Sequence, residues 1–436
     1  MLPESSLPTP ASWRDLLQSA GEGVFARRTT LRLFMLLASG MVLAERRTVV
    51  ALAAAAGMAA RWRRACWFFS GAVWDVDDLG LAVARLIVKH LVAAGAPIVV
   101  AIDGTFFTRW GKNVAEARWA YNGAAQGGRK IGFGNTWVIA AIVVRLPFCS
   151  SPVALPVLFR LWRGKGTDSQ VELAAQMLKL LAGAFGGRVV HGTGDAAFHG
   201  GPLVLEHTTW TTRLPANAVL HAPKPGPAGK PGRPREKGGR LGTCADIAAT
   251  ATWQTAPVNV YGTTTTMQIA TAEVLWYGSF SKAPGRIVLT REEGSNKAYD
   301  LGLFTLDTEA AAPAAAERYS WRWPIEPSNA AGKQIMGVGD ACNRVARAVE
   351  RTVPFGFLVQ SLLILWYATT GYDTTDIDNR RRLCPWYLTK TEPSTADMLA
   401  KLRGEFLTTR INVIQPGQRQ PDQNPAGALT SDNIAA

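Results

Sequence analysis

The sequence predicts an α/β fold, because segments with helical periodicity surround short apolar runs of the kind that form buried strands. Its 436 residues are enough for about two or three domains, and a hydrophobic content of 47% can supply their cores. Acidic residues follow two of the predicted strands, and open α/β sheets build their sites at such strand ends. We therefore expect a sheet flanked by helices, with a site at one edge of the sheet.

Residues 1–92 are predicted to form an N-terminal helical region. Apolar residues recur there at helical spacing, as in LRLFMLLASGMVLA, with no strand-like alternation between them. Two short helices that meet at Gly57 would form a helix-turn-helix, and the second of them carries arginines beside tryptophans. Arg61, Arg63 and Arg64 are therefore candidate DNA contacts. The alternative is ordinary helical packing with a solvated arginine face.

Residues 93–202 are predicted to hold the first part of an α/β core. The run PIVVAI ends at Asp103, and two further strand candidates, NTWVIAAIVVRL and VALPVLFRLW, follow it. After an amphipathic helix, SQVELAAQMLKLLAGAF, the β-rich run GRVVHGTG leads to Asp195. The first three strands look antiparallel. Each aspartate is a candidate site residue, although a single Asp after a strand is usually a turn or cap residue.

The rest of the chain is predicted to divide into four parts. They are a β-rich insertion with a basic loop at 223–240 (203–303), the second part of the core (304–372), a C-terminal helical region (373–414) and a disordered tail (415–436). Residues 353–372 carry no charge, but Gln360 and Ser361 interrupt their apolar run. We interpret this stretch as a buried core helix, the alternative being a membrane anchor.

The balance of charge favours a polyanionic partner. Lys and Arg number 47 against 33 Asp and Glu, which gives a net charge of +14. A basic surface without such a partner is the alternative. The five cysteines are scattered singly, with no zinc spacing, and the N-terminus lacks the pattern of a secretory signal. We therefore expect a cytoplasmic protein with no membrane association.

Three acids stand out as a set: Asp103, Asp195 and Glu326. Carboxylates that converge from different elements repel one another, and a fold keeps them together when cations neutralise them. Oxygen ligands without a Cys or His cluster suit Mg²⁺ or Mn²⁺. Two such ions can activate a water on one side of a phosphodiester and stabilise the leaving oxygen on the other. No protein base is then needed, so we interpret His199 as an ordinary loop histidine.

The surroundings of Glu326 are basic and aromatic. Tyr319, Arg322 and Lys333 lie near it in the sequence, and on one helix Arg322 and Lys333 would project from nearly the same face as Glu326. Such groups could hold phosphates. Because helices carry proline only in their first turn, we expect the helix with Glu326 to begin near Pro324. Tyr319 and Arg322 would then belong to a preceding element.

This spacing, Y-(2)-R-(3)-E-(6)-K, resembles the signature of bacterial insertion-sequence transposases of the DDE type, which are cut-and-paste enzymes with an RNase H-like core. The segments VAIDGTFF and GDAAF resemble the two Asp motifs of that family, and the similarity extends over most of the chain. The resemblance implies an RNase H-like mixed sheet flanked by helices and interrupted by a β-rich insertion. An N-terminal helical DNA-binding domain would precede it.

The resemblance also implies roles for single residues. Asp103, Asp195 and Glu326 would be catalytic and hold two Mg²⁺ ions, with Mn²⁺ as a possible substitute, while Tyr319, Arg322 and Lys333 would contact DNA. Trp276 in the insertion is the candidate for stacking on a flipped base, the alternative being a core tryptophan. Two features depart from the family pattern. Gly104 stands where relatives often carry a second acid, and Pro327 and Gly332 weaken the helix after Glu326.

The function implied is that of a DNA transposase of a mobile element. It would bind the terminal inverted repeats as a homodimer or larger assembly, cleave the terminal phosphodiester to free a 3′-OH, and join that hydroxyl to target DNA. Such an endonuclease and strand transferase is expected to be cytoplasmic and associated with the nucleoid. The alternative is a catalytically inactive DNA-binding regulator derived from a transposase.

Overall fold

The computed structural model describes residues 7–123, 125, 130–225 and 235–414. Part of the predicted basic loop, 226–234, and the whole of the predicted tail, 415–436, lie outside the described residues. The predictions for these two segments therefore stay predictions.

The N-terminal region is helical. Its helices are α1 (Ala11–Gly21), α2 (Arg28–Leu43), α3 (Val49–Ala55), α4 (Trp62–Ser70) and α5 (Val76–Leu91). Gly57 makes the turn between α3 and α4 with a positive φ of 73°, which glycine adopts without strain. At the start of α5, the Asp75 side chain accepts hydrogen bonds from the amides of Asp77 and Asp78. Short-range signals of this kind fix the helix boundaries.

The core begins with four strands joined by antiparallel pairing and two that are added in parallel. These are β1 (Ile98–Thr108), β2 (Arg118–Tyr121), β3 (Ile131–Val144), β4 (Val153–Trp162), β5 (Val190–Gly194) and β6 (Thr208–Arg213). β3 pairs antiparallel with β1, β2 and β4, whereas β5 lies parallel to both β1 and β6. Helix α6 (Gln170–Ala184) precedes β5 and begins at a capping box between Ser169 and Glu172. This mixed α/β order confirms the predicted RNase H-like core.

The β-rich segment continues the same sheet. Its elements are β7 (Leu220–His221), β8 (Arg240–Gly242), α7 (Cys244–Thr250), β9 (Gln254–Val260), β10 (Thr263–Val274), α8 (Tyr277–Phe280), β11 (Gly285–Glu292) and β12 (Leu301–Thr305). β12 pairs with β6, and β11, β10 and β9 follow in order, so that the sheet has ten strands within the described residues. β7 and β8 form a separate small ribbon. The strand β6, inside the segment predicted as the insertion, is therefore the strand that joins both parts of the sheet.

The last helices are α9 (Ala312–Ser320), α10 (Ile325–Gln334), α11 (Ala346–Trp366), α12 (Asp376–Leu383) and α13 (Thr395–Ile414). In the described part of the chain, one helical stretch, Ala346–Gly371, is long and apolar enough to cross a membrane, but 89% of its apolar window is buried inside the protein. Two of its buried polar side chains donate to neighbouring elements: Gln360 to Ser328, and Ser361 to the carbonyl of Pro156. α11 is therefore a core helix, as predicted.

Arg351 of α11 joins the core to the N-terminal helices. Its guanidinium is buried, and it donates to the carbonyl oxygens of Ala72 (2.8 Å), Phe68 (3.4 Å) and Trp74. It also stacks on the Trp74 ring at 4.4 Å. These carbonyls belong to the end of α4 and the turn that follows, where helix carbonyls lack partners within the helix. Arg351 thus supplies the donors that this buried chain segment requires.

We expect Arg351→Met to lower the free energy of unfolding by about 3 kcal/mol, because several buried carbonyl oxygens lose their donors. Chemical denaturation followed by circular dichroism measures the change. Arg347→Met is the matched control, since Arg347 is exposed on the same helix, and its effect should stay within about 0.5 kcal/mol. Equal losses in both variants would contradict the role assigned to Arg351.

Candidate active site

Asp103 lies on β1 and Asp195 lies directly after the neighbouring parallel strand β5, in equivalent positions. In the pairing of β1 with β5, Ala101 is opposite Thr193, and each aspartate follows two residues later. Parallel strands run about 4.8 Å apart, and residues in equivalent register project to the same side of the sheet. β5 ends at Gly194, while β1 continues. Both carboxylates therefore stand at the place where the pairing of these two strands stops.

The prediction that a strand ends at Asp103 was wrong. β1 continues to Thr108, and Asp103 itself is opposite Ile139 of β3. Antiparallel pairing with β3 holds residues 104–108 in the sheet although their side chains are not uniformly apolar, so the end of the apolar run did not mark the end of the strand. Asp195 does follow β5 directly, as predicted.

The turn after β5 fixes Asp195 in place. Its Oδ1 accepts a hydrogen bond from the amide of Ala197 at 2.9 Å, and its main-chain oxygen accepts one from the Thr212 hydroxyl at 2.7 Å. Thr212 belongs to β6. The neighbouring strand therefore holds the backbone of Asp195 while one carboxylate oxygen stabilises the turn.

Pro324 separates the elements around Glu326, as predicted. Tyr319 lies in the last turn of α9, Arg322 lies in the connecting turn, and α10 begins directly after Pro324. Glu326 is in the first turn of α10, where Pro327 is also tolerated because the amide it lacks would have no partner within the helix. Arg322 bridges the two helices through an ion pair of 2.8 Å with Glu326.

Gly332 allows α10 to pack closely on α11. A Cβ atom at this position would lie 2.2 Å from the Phe357 ring, which no real side chain could tolerate. Ser328 lies one turn before Gly332 on α10. The buried side-chain amide of Gln360, on α11, donates to the carbonyl and the hydroxyl of Ser328, each at 3.0 Å. The glycine weakens the helix in isolation, but here it permits the contact that positions the helix with Glu326.

The electrostatic environment of Asp103 is unfavourable for a lone carboxylate. Burial and, secondly, the charge of Asp195 raise the pKa of Asp103 to about 6, with a smaller contribution from Glu326. Arg322 and the amide of Gly104 oppose the shift without cancelling it. Negative charge at this position is therefore incompletely balanced by the protein.

The basic and aromatic residues of the motif surround the acids. Burial lowers the pKa of Lys333, opposed by Asp103, and its ammonium lies over the Phe107 ring at 5.0 Å. Tyr319 is only 8% exposed; burial raises the pKa of its hydroxyl, and nearby Arg322 opposes that shift. The fold thus brings Tyr319, Arg322 and Lys333 to the acids, whereas their role as DNA contacts stays a prediction.

Asn329 belongs to the same cluster and was not recognised in the sequence. It is 6% exposed, and its Nδ2 donates to Asp103 Oδ2 at 3.3 Å. Among the described residues its Oδ1 has no hydrogen-bond partner. The signal was available in the spacing, since residues three apart on a helix share a face and Asn329 follows Glu326 at that interval.

Trp276 lies in the core, the alternative that the sequence left open. Its ring is 5% exposed and packs against His199 (4.7 Å between centroids), Phe280 and Phe304. In this conformation neither face is open to a base, so stacking on a flipped nucleotide would require this packing to separate. His199 also forms a hydrogen bond with Ser279 at 2.7 Å, consistent with a structural histidine.

The N-terminal arginines are separate in the chain from the acid cluster. Arg61, Arg63 and Arg64 are exposed around the start of α4, and the guanidinium of Arg63 lies 5.6 Å from the Trp62 ring centroid. A basic, aromatic helix start of this kind suits a DNA backbone. Their contact with DNA stays a prediction.

The donor set suits a hard divalent cation. Within the described ranges no three Asp, Glu, His or Cys side chains are placed closely enough to hold an ion, and Glu326 is engaged by Arg322. The available donors are nevertheless carboxylate oxygens, which Mg²⁺ and Mn²⁺ prefer. The raised pKa of Asp103 and the unpartnered oxygen of Asn329 are both conditions that a cation would relieve.

Comparison with known proteins identifies the family. A family model described as DDE superfamily endonuclease matches residues 22–282. The match contains both aspartates and ends before Glu326. No curated protein matches the chain closely enough to be counted as a relative. Because the match covers more than half of the chain, the protein belongs to the DDE superfamily endonucleases.

Proposed function

We propose that this protein is a transposase that cleaves the ends of its own insertion sequence and joins them to target DNA. DDE endonucleases act on DNA and generally use divalent metal ions, and the chain belongs to that superfamily. The observation that carries the proposal is the equivalent register of Asp103 and Asp195, together with the pKa of Asp103, which burial and, secondly, the charge of Asp195 raise to about 6.

Asp103, Asp195 and Glu326 would hold two Mg²⁺ ions, or Mn²⁺ in their place. When bound, the ions would activate the attacking hydroxyl and stabilise the oxygen that leaves phosphorus. The protein contributes rigidity: one carboxylate stands on β1, the second directly follows β5, and the third stands on a helix packed against α11. Such a framework keeps the ligands in position while DNA enters.

Arg322, Lys333 and Tyr319 would bind the phosphates next to the cleaved bond. Arg322 is well placed for this role because its guanidinium has five donors, and the ion pair with Glu326 uses only part of them. In the first step, water attacks phosphorus and the 3′-oxygen of the element leaves as a hydroxyl. In the second step, that hydroxyl attacks a target phosphodiester, and the target 3′-oxygen leaves in turn.

End binding is assigned to the N-terminal helices, with Arg61, Arg63 and Arg64 as contacts to the terminal inverted repeats. Pairing two ends requires a homodimer or a larger assembly on DNA. The net charge of +14 supports association with DNA, and a cytoplasmic, nucleoid-associated location follows from that substrate.

DNA cleavage should depend on Asp103 and Asp195. With Mg²⁺, the protein should nick and cut a supercoiled plasmid that carries the inverted repeats bordering its gene. Asp103→Asn and Asp195→Asn should each reduce product formation by at least about a thousandfold, because each removes a ligand charge. Glu309→Gln, which changes an exposed acid before α9, is the matched control and should cut at the rate of the unmodified protein. Equal product from Asp103→Asn and the control would refute the assignment, and DNA binding without cleavage by the unmodified protein would favour the inactive regulator.

The protein should bind Mg²⁺ at Asp103 without DNA. A hundredfold excess of Mg²⁺ over its dissociation constant should stabilise the folded protein by about 2.7 kcal/mol, seen as a rise in Tm. Asp103→Asn should abolish most of this rise, whereas KCl of matched ionic strength should not reproduce it. A rise of the same size in Asp103→Asn would mean that the ion binds elsewhere.

The stability of the protein should depend on pH through Asp103. The pKa of Asp103 is raised to about 6 from an ordinary 3.8, so the unfolded chain loses this proton at lower pH than the folded protein does. The resulting stability is therefore present at low pH, is lost as the pH rises towards 6, and stays lost above it. Without metal, Asp103→Asn should exceed the unmodified protein in stability by about 3 kcal/mol at pH 8, and by less at pH 5. Denaturation midpoints at both pH values measure this difference, and a constant difference would contradict it.

A further inference from the structure

Asn329 combines two features that ordinary packing does not explain. Its side chain is nine-tenths buried and donates through Nδ2 to Asp103, while its Oδ1 is buried with no partner in the described part of the chain. Helix α10 also carries Glu326 three residues earlier and Lys333 four residues later, so that all three lie on one helix face. The amide therefore extends from the helix face that carries Glu326 and Lys333 to an aspartate of the sheet.

The orientation of this amide follows from its partner. An ionised carboxylate has only acceptors, so the NH₂ group must face Asp103 and the oxygen is the atom left unsatisfied. A buried amide oxygen without a donor or a cation is destabilising, and folded proteins seldom keep one. The neighbouring Gln360 donates to the main-chain oxygen of Ser328, and its own Oε1 also lacks a partner among the described residues. What distinguishes Asn329 is that its amide contacts Asp103. An unpartnered amide oxygen next to two carboxylates indicates that a ligand binds there.

The chemistry of an amide oxygen identifies the class of that ligand. Asn side-chain carbonyls are hard oxygen donors of the kind that Mg²⁺, Mn²⁺ and Ca²⁺ accept. An aspartate at position 329 would add a further negative charge beside Asp103, where the charges of Asp195 and Glu326 already act. An uncharged donor adds coordination without adding repulsion to the metal-free protein.

We propose that Asn329 is a further residue of the cation site: its Nδ2 orients the Asp103 carboxylate, and its Oδ1 is an uncharged oxygen donor to the divalent cation. This inference rests on the proposed metal site and deepens it. It assigns a function to a residue between the Glu and the Lys of the motif that the motif itself does not include.

The test is a Mn²⁺ titration of the full-length protein without DNA, by calorimetry and by electron paramagnetic resonance of free Mn²⁺. Asn329→Leu keeps the approximate volume of the side chain and removes both polar atoms, and it should weaken Mn²⁺ binding at least about tenfold. Asn329→Asp restores an oxygen donor and should bind Mn²⁺ at least as tightly as the unmodified protein. Asn343→Leu is the matched control, because Asn343 is partly buried and donates to the carbonyl of Ala348 instead of an acid.

The same variants separate a metal role from a purely structural one. Melting curves without metal should show Asn329→Leu folded, and Asn329→Asp less stable at pH 8 than at pH 5 owing to the added charge. If Asn329→Leu does not fold, the inference depends on Asn329→Asp, and tenfold weaker Mn²⁺ binding by that variant would overturn it.

Failure of this inference differs from failure of the proposed metal site. If Asp103→Asn reduces Mn²⁺ binding while Asn329→Leu binds it as the unmodified protein does, only the role of Asn329 is overturned. If Asp103→Asn leaves Mn²⁺ binding unchanged, the metal site itself is wrong and the inference fails with it. Reduced binding in both, with rescue by Asn329→Asp and no change in Asn343→Leu, supports both.

Discussion

The close packing of α10 on α11 is the contact on which the rest of the site depends. Gly332 lets the helix approach the Phe357 ring, and the buried amide of Gln360 holds the backbone of Ser328. Together they set the height and rotation of α10 over the sheet. Glu326 and Asn329 take their positions from that placement, and Lys333 comes to lie above Phe107 of β1. A larger side chain at position 332 would displace the whole face of the helix.

Sheet pairing positions the two aspartates, as helix packing positions Glu326. β1 is held on one side by β3 through its whole outer half and on the other by β5 up to Ala101. Asp103 and Asp195 each follow this pairing by two residues, so the paired strands hold their backbones near one another. Burial and, secondly, the charge of Asp195 raise the pKa of Asp103 to about 6. A rigid, electrostatically unfavourable pair is the arrangement that gains most from a bound cation, which suits an endonuclease of the DDE superfamily.

Polar residues inside apolar segments make contacts that join the elements of this fold. Gln360 and Ser361 interrupt a helix that could otherwise pass for a membrane span, and both are completely buried with backbone partners on other elements. Arg351, on the same helix, serves the carbonyls at the end of α4. One helix therefore connects the N-terminal helices, the sheet and α10. Its polar side chains are the fixed points of these three contacts.

The sequence by itself determined the features that depend on nearby residues: the helical N-terminal region, the chain order of β1, β3, β4, α6 and β5, and the break at Pro324 that separates Tyr319 from Glu326. Periodicity, caps and proline geometry act within a few residues, so they can be interpreted from the chain alone. Tertiary structure decided the continuation of β1 past Asp103, the burial of Trp276 and the contact of Asn329 with Asp103. Each of these depends on a partner far away in the sequence, because pairing and packing are properties of the assembled fold.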